Sequence, residues 1–205
     1  LSKEDLDRLL PVLKELYSSA CKGELYVEED VEDIHSQIEL MLTRRLGDVG
    51  KKVHTGRSRN DQVLVDLKLY ARAEIENTVH KVESLFNTLQ EASERYKDVL
   101  IPGYTHLQVA MPSSFGLWFG AYAESLCDDL SIMKAAWDVV NLNPLGSAAG
   151  YGSSAPLNRT LTTVLLGFED LDYNSVYAQM TRGKMERAVA FAYSSVAETV
   201  GRLAM

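Results

Sequence analysis

Apolar positions recur at steps of three and four along most of this chain. Leu6, Leu9, Leu10, Leu13, Leu16 and Tyr17 share one stripe and predict a helix over residues 2–21, with Ser2 and Asp5 spaced as a capping box. Ile34, Ile38 and Leu42 predict a second helix over 31–46, stopped by Gly47. Residues 46–59, which hold Gly47, Gly50 and Gly56, read as a loop. The pattern then changes scale. Leu64, Leu67, Ala71, Ile75, Thr78, Val82, Leu85, Leu89, Ala92 and Tyr96 form a near-heptad seam, which predicts one unbroken helix from Asn60 to about Tyr96. Such a helix is about 50–55 Å long at 1.5 Å per residue. The mean globular helix has only about 11–12 residues, so this one belongs in a bundle.

Pro102 and Gly103 close that segment. A second long stripe then runs through Phe115, Trp118, Phe119, Tyr122, Leu126, Met133, Trp137 and Val140, predicting an antiparallel partner helix over 112–141. A Gly/Ser-rich loop (146–154) follows, then a short helix near 157–166 and a last long helix from about Asn174 to the chain end. No strand pair and no internal repeat stands out. The expected fold is all-α, a bundle of long antiparallel helices with no sheet between residues 60 and 141. Three long helices of one chain cannot bury every stripe, so self-association is expected.

Composition narrows the function classes. Hydrophobic residues make up 46% of the chain and charged residues 24%, which excludes global disorder. A net charge of −8 argues against nucleic acid or an anionic membrane as the partner, while leaving room for a small anion that reads only local charge. No run approaches the ~20 apolar residues of a membrane span. Cys21 and Cys127 match no metal or redox spacing and read as reduced thiols of a cytoplasmic protein. The chain opens on Leu1 and stops at Met205 inside a periodic segment, so a piece of a longer protein is expected.

Against that acidic background, HTGRSRNDQV (54–63) gathers His54, Arg57 and Arg59 at the mouth of the longest helix. Ser58, Asn60 or Asp61 can cap that helix, and its free N–H groups favour an anion. The planar forks of Arg57 and Arg59 suit a carboxylate or phosphate. An ordinary capped helix start with solvated arginines accounts for the same residues about equally well. PGYTHLQ (102–108) offers the Thr105 hydroxyl and the His106 imidazole in a break between long helices, although a lone loop histidine is more often structural. EDIH (32–35) places Asp33 and His35 in a first turn, where an acid is commonly a simple dipole complement. The Gly/Ser-rich loop lacks the Gly-Lys-Ser/Thr of a phosphate-binding loop. His80 reads as structural or solvated. No metal and no cofactor is expected.

These strings, in this order and spacing, resemble argininosuccinate lyase of the fumarase/aspartase superfamily, and the resemblance spans essentially the whole chain. It implies that family's helical bundle and a homotetramer whose sites draw residues from different subunits. The activity it implies is β-elimination of argininosuccinate to arginine and fumarate, within arginine biosynthesis. A base takes a proton from the succinyl β-carbon, the carbanion delocalises into the neighbouring carboxylate, and the guanidinium nitrogen leaves with acid assistance. By resemblance His106 is the catalytic histidine and Asn60 and Thr105 bind substrate, with Arg59 and Ser58 beside them and Asp33 and His35 near the site. Residues 1–55 correspond to the rest of an N-terminal helical domain and 56–205 to a truncated central bundle domain.

Two features depart from the family. Its serine- and lysine-bearing loop, of the type GSSxMPxKxNP, has no counterpart in these 205 residues, so the piece itself is expected to be inactive. Asn158 stands where the family commonly has Asp, at an expected helix cap where the two are near-equivalent. The competing readings are a non-catalytic, crystallin-like structural member and a sister lyase acting on another succinyl adduct.

Overall fold

Ser2 does cap the first helix. In the computed structural model, which describes residues 1–205, the Ser2 side chain accepts the Asp5 N–H and the Asp5 carboxylate accepts the Ser2 N–H, so α1 (Lys3–Cys21) opens on a capping box. The same carboxylate takes both of its oxygens to within 2.8 Å of Lys52 Nζ. The ammonium and the Ser2 donors together hold the Asp5 carboxyl down at about 2. Helix α2 (Ile34–Leu46) starts three residues later than its pattern implied, because the Asp33 side chain accepts the Ser36 N–H and fixes the cap there. Leu9, Leu16 and Leu42 are the buried centre of this N-terminal cluster. The expected loop that follows contains a short helix, α3 (Asp48–Lys51), and a 3₁₀ turn (Lys52–His54).

Helix α4 (Arg59–Arg95) is unbroken over 37 residues, as the seam required. Helix α5 (Phe115–Val140) runs back along it. Val82 and Leu89 of α4 meet Ala123 and Leu126 of α5, whereas Ala71 and Ile75 meet Met133, Ala136 and Val140, which makes the two antiparallel. Helix α8 (Lys184–Ala204) returns along α5, its Met185 and Ala192 in the second of these clusters and its Leu203 packed against the first. The crossing of α4 and α5 is tight at one point. A Cβ on Gly116 would sit 2.5 Å from Lys97 Cα and 2.6 Å from the Ser93 carbonyl oxygen, so only glycine fits.

Three expectations fail here. First, residues 100–114 are a β-hairpin, β1 (Leu100–Thr105) with β2 (Gln108–Ser114), where no sheet was expected. Pro102 reads from the sequence only as the end of the long helix, and proline donates nothing to a ladder. In the hairpin Pro102 faces Pro112, so the two residues without N–H groups occupy the same rung. Second, β3 (Leu142–Asn143) and β4 (Asp170–Leu171) form a two-residue parallel pair that flanks helix α6 (Arg159–Leu165). Third, the last long helix is split. Helix α7 (Ser175–Met180) ends and Gly183, at φ 85°, turns the chain before α8 begins. The molecule is otherwise helical, and no helix is long and apolar enough to cross a membrane. Asn158 caps α6 by accepting the Leu161 N–H, as its position implied.

One buried ion pair ties the loops to the bundle. Lys68 on α4 is 7% exposed and donates to Asp172 Oδ2 at 2.6 Å and to the Leu142 carbonyl at 2.8 Å, while Asp172 is 4% exposed. The bundle itself is left open in places. Apolar grooves of 450 Å³ between α4 and α8 and of 370 Å³ between α4 and α5 are open, lined by Tyr70, Val189 and Tyr193 in one and by Val79, Leu130 and Trp137 in the other.

Two substitution pairs test these packing statements by urea unfolding of this chain. Lys68→Met leaves Asp172 charged and unpaired inside, and is expected to cost about 3–5 kcal/mol. Lys134→Met breaks only the exposed pair with Asp138 and should cost about 0.5 kcal/mol or less. Equal losses would show that Lys68 is not an internal tie. Gly116→Ala should destabilise by about 1–3 kcal/mol through the clash described above. The same change at Gly201, whose added Cβ meets nothing within 4 Å, should instead stabilise by up to about 1 kcal/mol through helix propensity.

Candidate active site

The mouth of α4 is built around one carboxylate. Asp61 is 0% exposed; its Oδ1 accepts the Ser58 N–H at 2.9 Å, and its Oδ2 accepts the N–H groups of Gly146 and Ala148 at 3.0 and 2.9 Å. Ser58 Oγ in turn accepts the Asn60 N–H and the Asp61 N–H, the latter completing a second capping box. The Gly/Ser-rich loop is therefore ordered against the helix start. Ala148 is held at φ 51°, a conformation that costs a non-glycine residue about 1–3 kcal/mol unless its surroundings impose it. Here Asp61 holds its N–H, and Gln179 Nε2 of α7 donates to its carbonyl at 3.1 Å and to Ser147 Oγ at 3.1 Å.

Arg59 does not stand free. Its Nε lies 3.0 Å from Asp33 Oδ2, its Nη2 donates to Ser36 Oγ at 2.9 Å, and its Nη1 donates to Gln62 Oε1 at 3.1 Å. The fork expected to clamp a carboxylate ligand is spent on the cap of α2, so Arg59 and Asp33 join the N-terminal helices to α4. Beside them His35 Nε2 sits 3.0 Å from Asp66 Oδ2. Loss of water on that side pushes the Asp66 carboxyl above its usual range, while the charges of His35, Arg57 and Arg59 pull it down. These groups line a cavity of 410 Å³ whose floor is aliphatic, with Ile38, Val65 and Leu165 among its walls. Arg57 lines the same cavity and makes no ion pair. No three His, Cys, Asp or Glu side chains converge as metal ligands would.

Asn60 lies elsewhere. Successive residues of a helix are turned by about 100°, so the residue after Arg59 leaves the cavity face. Arg59, Gln62, Asp66 and Leu69 line the cavity and Asn60 does not. Asn60 is exposed, with its amide side chain uncommitted, and its backbone carbonyl accepts a hydrogen bond from Arg182 Nη2 at 3.1 Å.

Thr105 and His106 are farther off still. They occupy the exposed tip of the β1–β2 hairpin, which follows the opposite end of α4, a helix about 55 Å long. His106 and Leu107 have φ of 51° and 61°, the type I′ pattern of a two-residue hairpin loop, which Asn-Gly usually fills without strain. His-Leu is a costly choice for that turn, and Leu107 is 99% exposed. The expected residues thus form three groups: Asp33, His35, Ser58 and Arg59; Asn60; and Thr105 with His106. One chain unites only the first. Asp66, which lines the cavity, and Arg182, which donates to the Asn60 carbonyl, were not singled out in the sequence, although Asp66 carried one signal, its i+7 spacing from Arg59. Arg182 carried none, because it reaches α4 through the unforeseen break before α8.

Comparison with known proteins gives this geometry its context. A family model described as a lyase matches residues 1–198. The chain is similar to proteins named argininosuccinate lyase from Bacteroides fragilis and Parabacteroides distasonis, each 67% identical over 204 residues, and from Stenotrophomonas maltophilia at 39%. The whole chain is covered in each case, but it spans only 46–47% of those proteins, about half their length. Among solved structures it is similar to a variant of EDDS lyase with bound fumarate, with a TM-score of 0.82 and 28% identity over 95% of this chain and 37% of that one. Helical bundle, motif order and these likenesses converge on one conclusion: the chain belongs to the lyase family.

Proposed function

We propose that the protein containing these residues splits argininosuccinate into arginine and fumarate by β-elimination. The observation that carries this reading is the 67% identity, over the full length of the chain, to proteins named argininosuccinate lyase. A sister lyase is less favoured, because identity to EDDS lyase is only 28%. No observation favours a crystallin-like structural role. The fumarate bound to that EDDS lyase variant supports a dicarboxylate product in this fold.

In this reading His106 moves a proton during elimination, and Thr105 and Asn60 supply hydrogen bonds to the substrate as charge builds on it. Asn60 and the strand that leads to the hairpin tip lie at opposite ends of α4, a helix about 55 Å long, so a complete site needs a second copy. Two copies lying antiparallel along α4 would bring the tip of one beside the helix start of the other. The open apolar grooves on α4, α5 and α8 support such an assembly, which we take to be a homotetramer. Residues 1–55 and 56–205 then act as two domains, joined where Arg59 meets Asp33. The setting is the cytoplasm, where the exposed thiols of Cys21 and Cys127 stay reduced.

Release of fumarate from argininosuccinate, followed in the ultraviolet, tests the reading on the full-length protein. His106→Asn should lower turnover by about 10²-fold or more, the scale for losing a general acid or base. Unchanged turnover would remove His106 from the mechanism. The 205 residues alone should release no fumarate, since groups that act as a unit do not leave a proportional remainder. Turnover by this piece within about tenfold of the full-length protein would overturn that assignment.

A further inference from the structure

The cavity at the junction of the N-terminal helices with α4 takes no part in the reaction proposed above, and Asn60 does not line it. Its volume of 410 Å³ lies within the roughly 300–1,000 Å³ of clefts that hold small molecules. The cavity is assembled from distant parts of the chain. Leu13 of α1, Ile38 of α2, Val53 of the 3₁₀ turn, Val65 of α4 and Leu165 of α6 converge on it as an aliphatic wall.

Its charged groups sort into spent and free. Arg59 is committed to Asp33, Ser36 and Gln62, and Asp66 is matched by His35 at 3.0 Å. Arg57, from the loop before α4, and Glu39, from α2, make no ion pair. His54 adds an imidazole able to donate or accept. One free guanidinium, one free carboxylate and an aliphatic wall define what fits. A simple carboxylate satisfies Arg57 but is opposed by Glu39, and a simple amine does the reverse. A dicarboxylate is opposed by Glu39 twice and sets a charge against apolar walls, which is costly. A molecule with both charges at one end and a hydrocarbon at the other satisfies all three features. We propose that this cavity binds an α-amino acid with an aliphatic side chain, its carboxylate on the Arg57 fork, its ammonium on Glu39 and its side chain against Leu13, Ile38 and Val65. The walls come from both sides of the junction, so an occupant ties the N-terminal helices to the bundle and stabilises the folded protein by mass action.

The test titrates the full-length protein calorimetrically with L-leucine and follows its thermal midpoint. Two analogues serve as controls: 4-methylpentanoate, which is leucine without its ammonium, and 3-methylbutylamine, which is leucine without its carboxylate. Leucine should bind and raise the midpoint. Each analogue should bind about 10–100-fold more weakly, the scale for losing one charged hydrogen-bonded contact. Arg57→Gln should weaken leucine by about the same factor and leave 3-methylbutylamine within about twofold. Glu39→Gln should weaken leucine but spare 4-methylpentanoate, a crossed response that a merely structural role would not give. Excess succinate should not displace leucine, since Asn60 and Thr105 do not line the cavity. Absence of leucine binding, binding indifferent to both substitutions, or displacement by succinate would each overturn the proposal. Neither residue has an ion pair to lose, so both variants should fold; if one does not, the other variant with the two analogues decides. Binding is read without turnover, so the outcome is separate from whether the protein releases fumarate.

Discussion

The Asp61 carboxylate is the constraint on which the functional end of this molecule depends. It accepts three backbone N–H groups, one from the start of its own helix and two from a loop 85 and 87 residues away. Hydrogen bonds to an ionised acceptor are worth about 1.5–3 kcal/mol each, more than a neutral cap, and here they act far from water. They convert a glycine-rich connection into a rigid wall, hold Ala148 in a strained conformation, and give α7 a surface on which Gln179 docks. The path of the chain after α7 follows from that docking, and with it the position of Arg182. A residue of helix-capping type thus brings together parts of the chain distant in sequence.

Two kinds of arginine emerge from the same ten-residue string and its surroundings. Arg59 is committed, with Nε, Nη1 and Nη2 each matched to an acceptor, and its work is to join the N-terminal helices to α4. Arg57 and Arg182 are not saturated, and lie on different faces of the helix start. The division matters chemically. A cation already neutralised by a nearby carboxylate offers a ligand little net attraction, whereas an unpaired one at a polar surface offers charge and geometry together. The 410 Å³ cavity behind Arg59, with its His35–Asp66 pair, belongs to the junction between the two parts of the chain.

The length of α4 sets the other limit. A straight helix of 37 residues fixes its two ends about 55 Å apart, and no side-chain movement closes that gap. His106 stands at one end on a hairpin tip whose backbone is strained and whose side chains meet only solvent. Asn60 stands at the other. In the homotetramer proposed above, the strained tip and its exposed apolar neighbour Leu107 would meet another copy rather than water. The apolar grooves along the bundle carry the same implication, since a helix stripe left open in one chain is a stripe available to another.

Much of this was legible in the sequence, and for a plain reason. Helix periodicity records a local geometry, so the seam from Leu64 to Tyr96 determined α4, the stripe from Phe115 to Val140 determined α5, and Ser2 with Asp5, together with the cap candidates Ser58, Asn60 and Asp61, marked where helices begin. The string HTGRSRND identified the family for the same reason, as a local pattern that survives without its context. Other features needed the tertiary structure. The hairpin was hidden because Pro102 and Pro112 look like breakers until they face each other on one rung, a cross-strand relation no single segment displays. The break at Gly183 was hidden because an apolar pattern continues through it, and only the docking of α7 on the Gly/Ser-rich loop forces the turn. The partners of Arg59, Asp66 and Arg182 were hidden because polar contacts over 23 to 122 residues depend on how elements pack. The sequence by itself determined which helices exist and where they start; the tertiary structure decided which charged groups are spent inside the protein and which remain for a ligand, because that depends on distances no periodicity encodes.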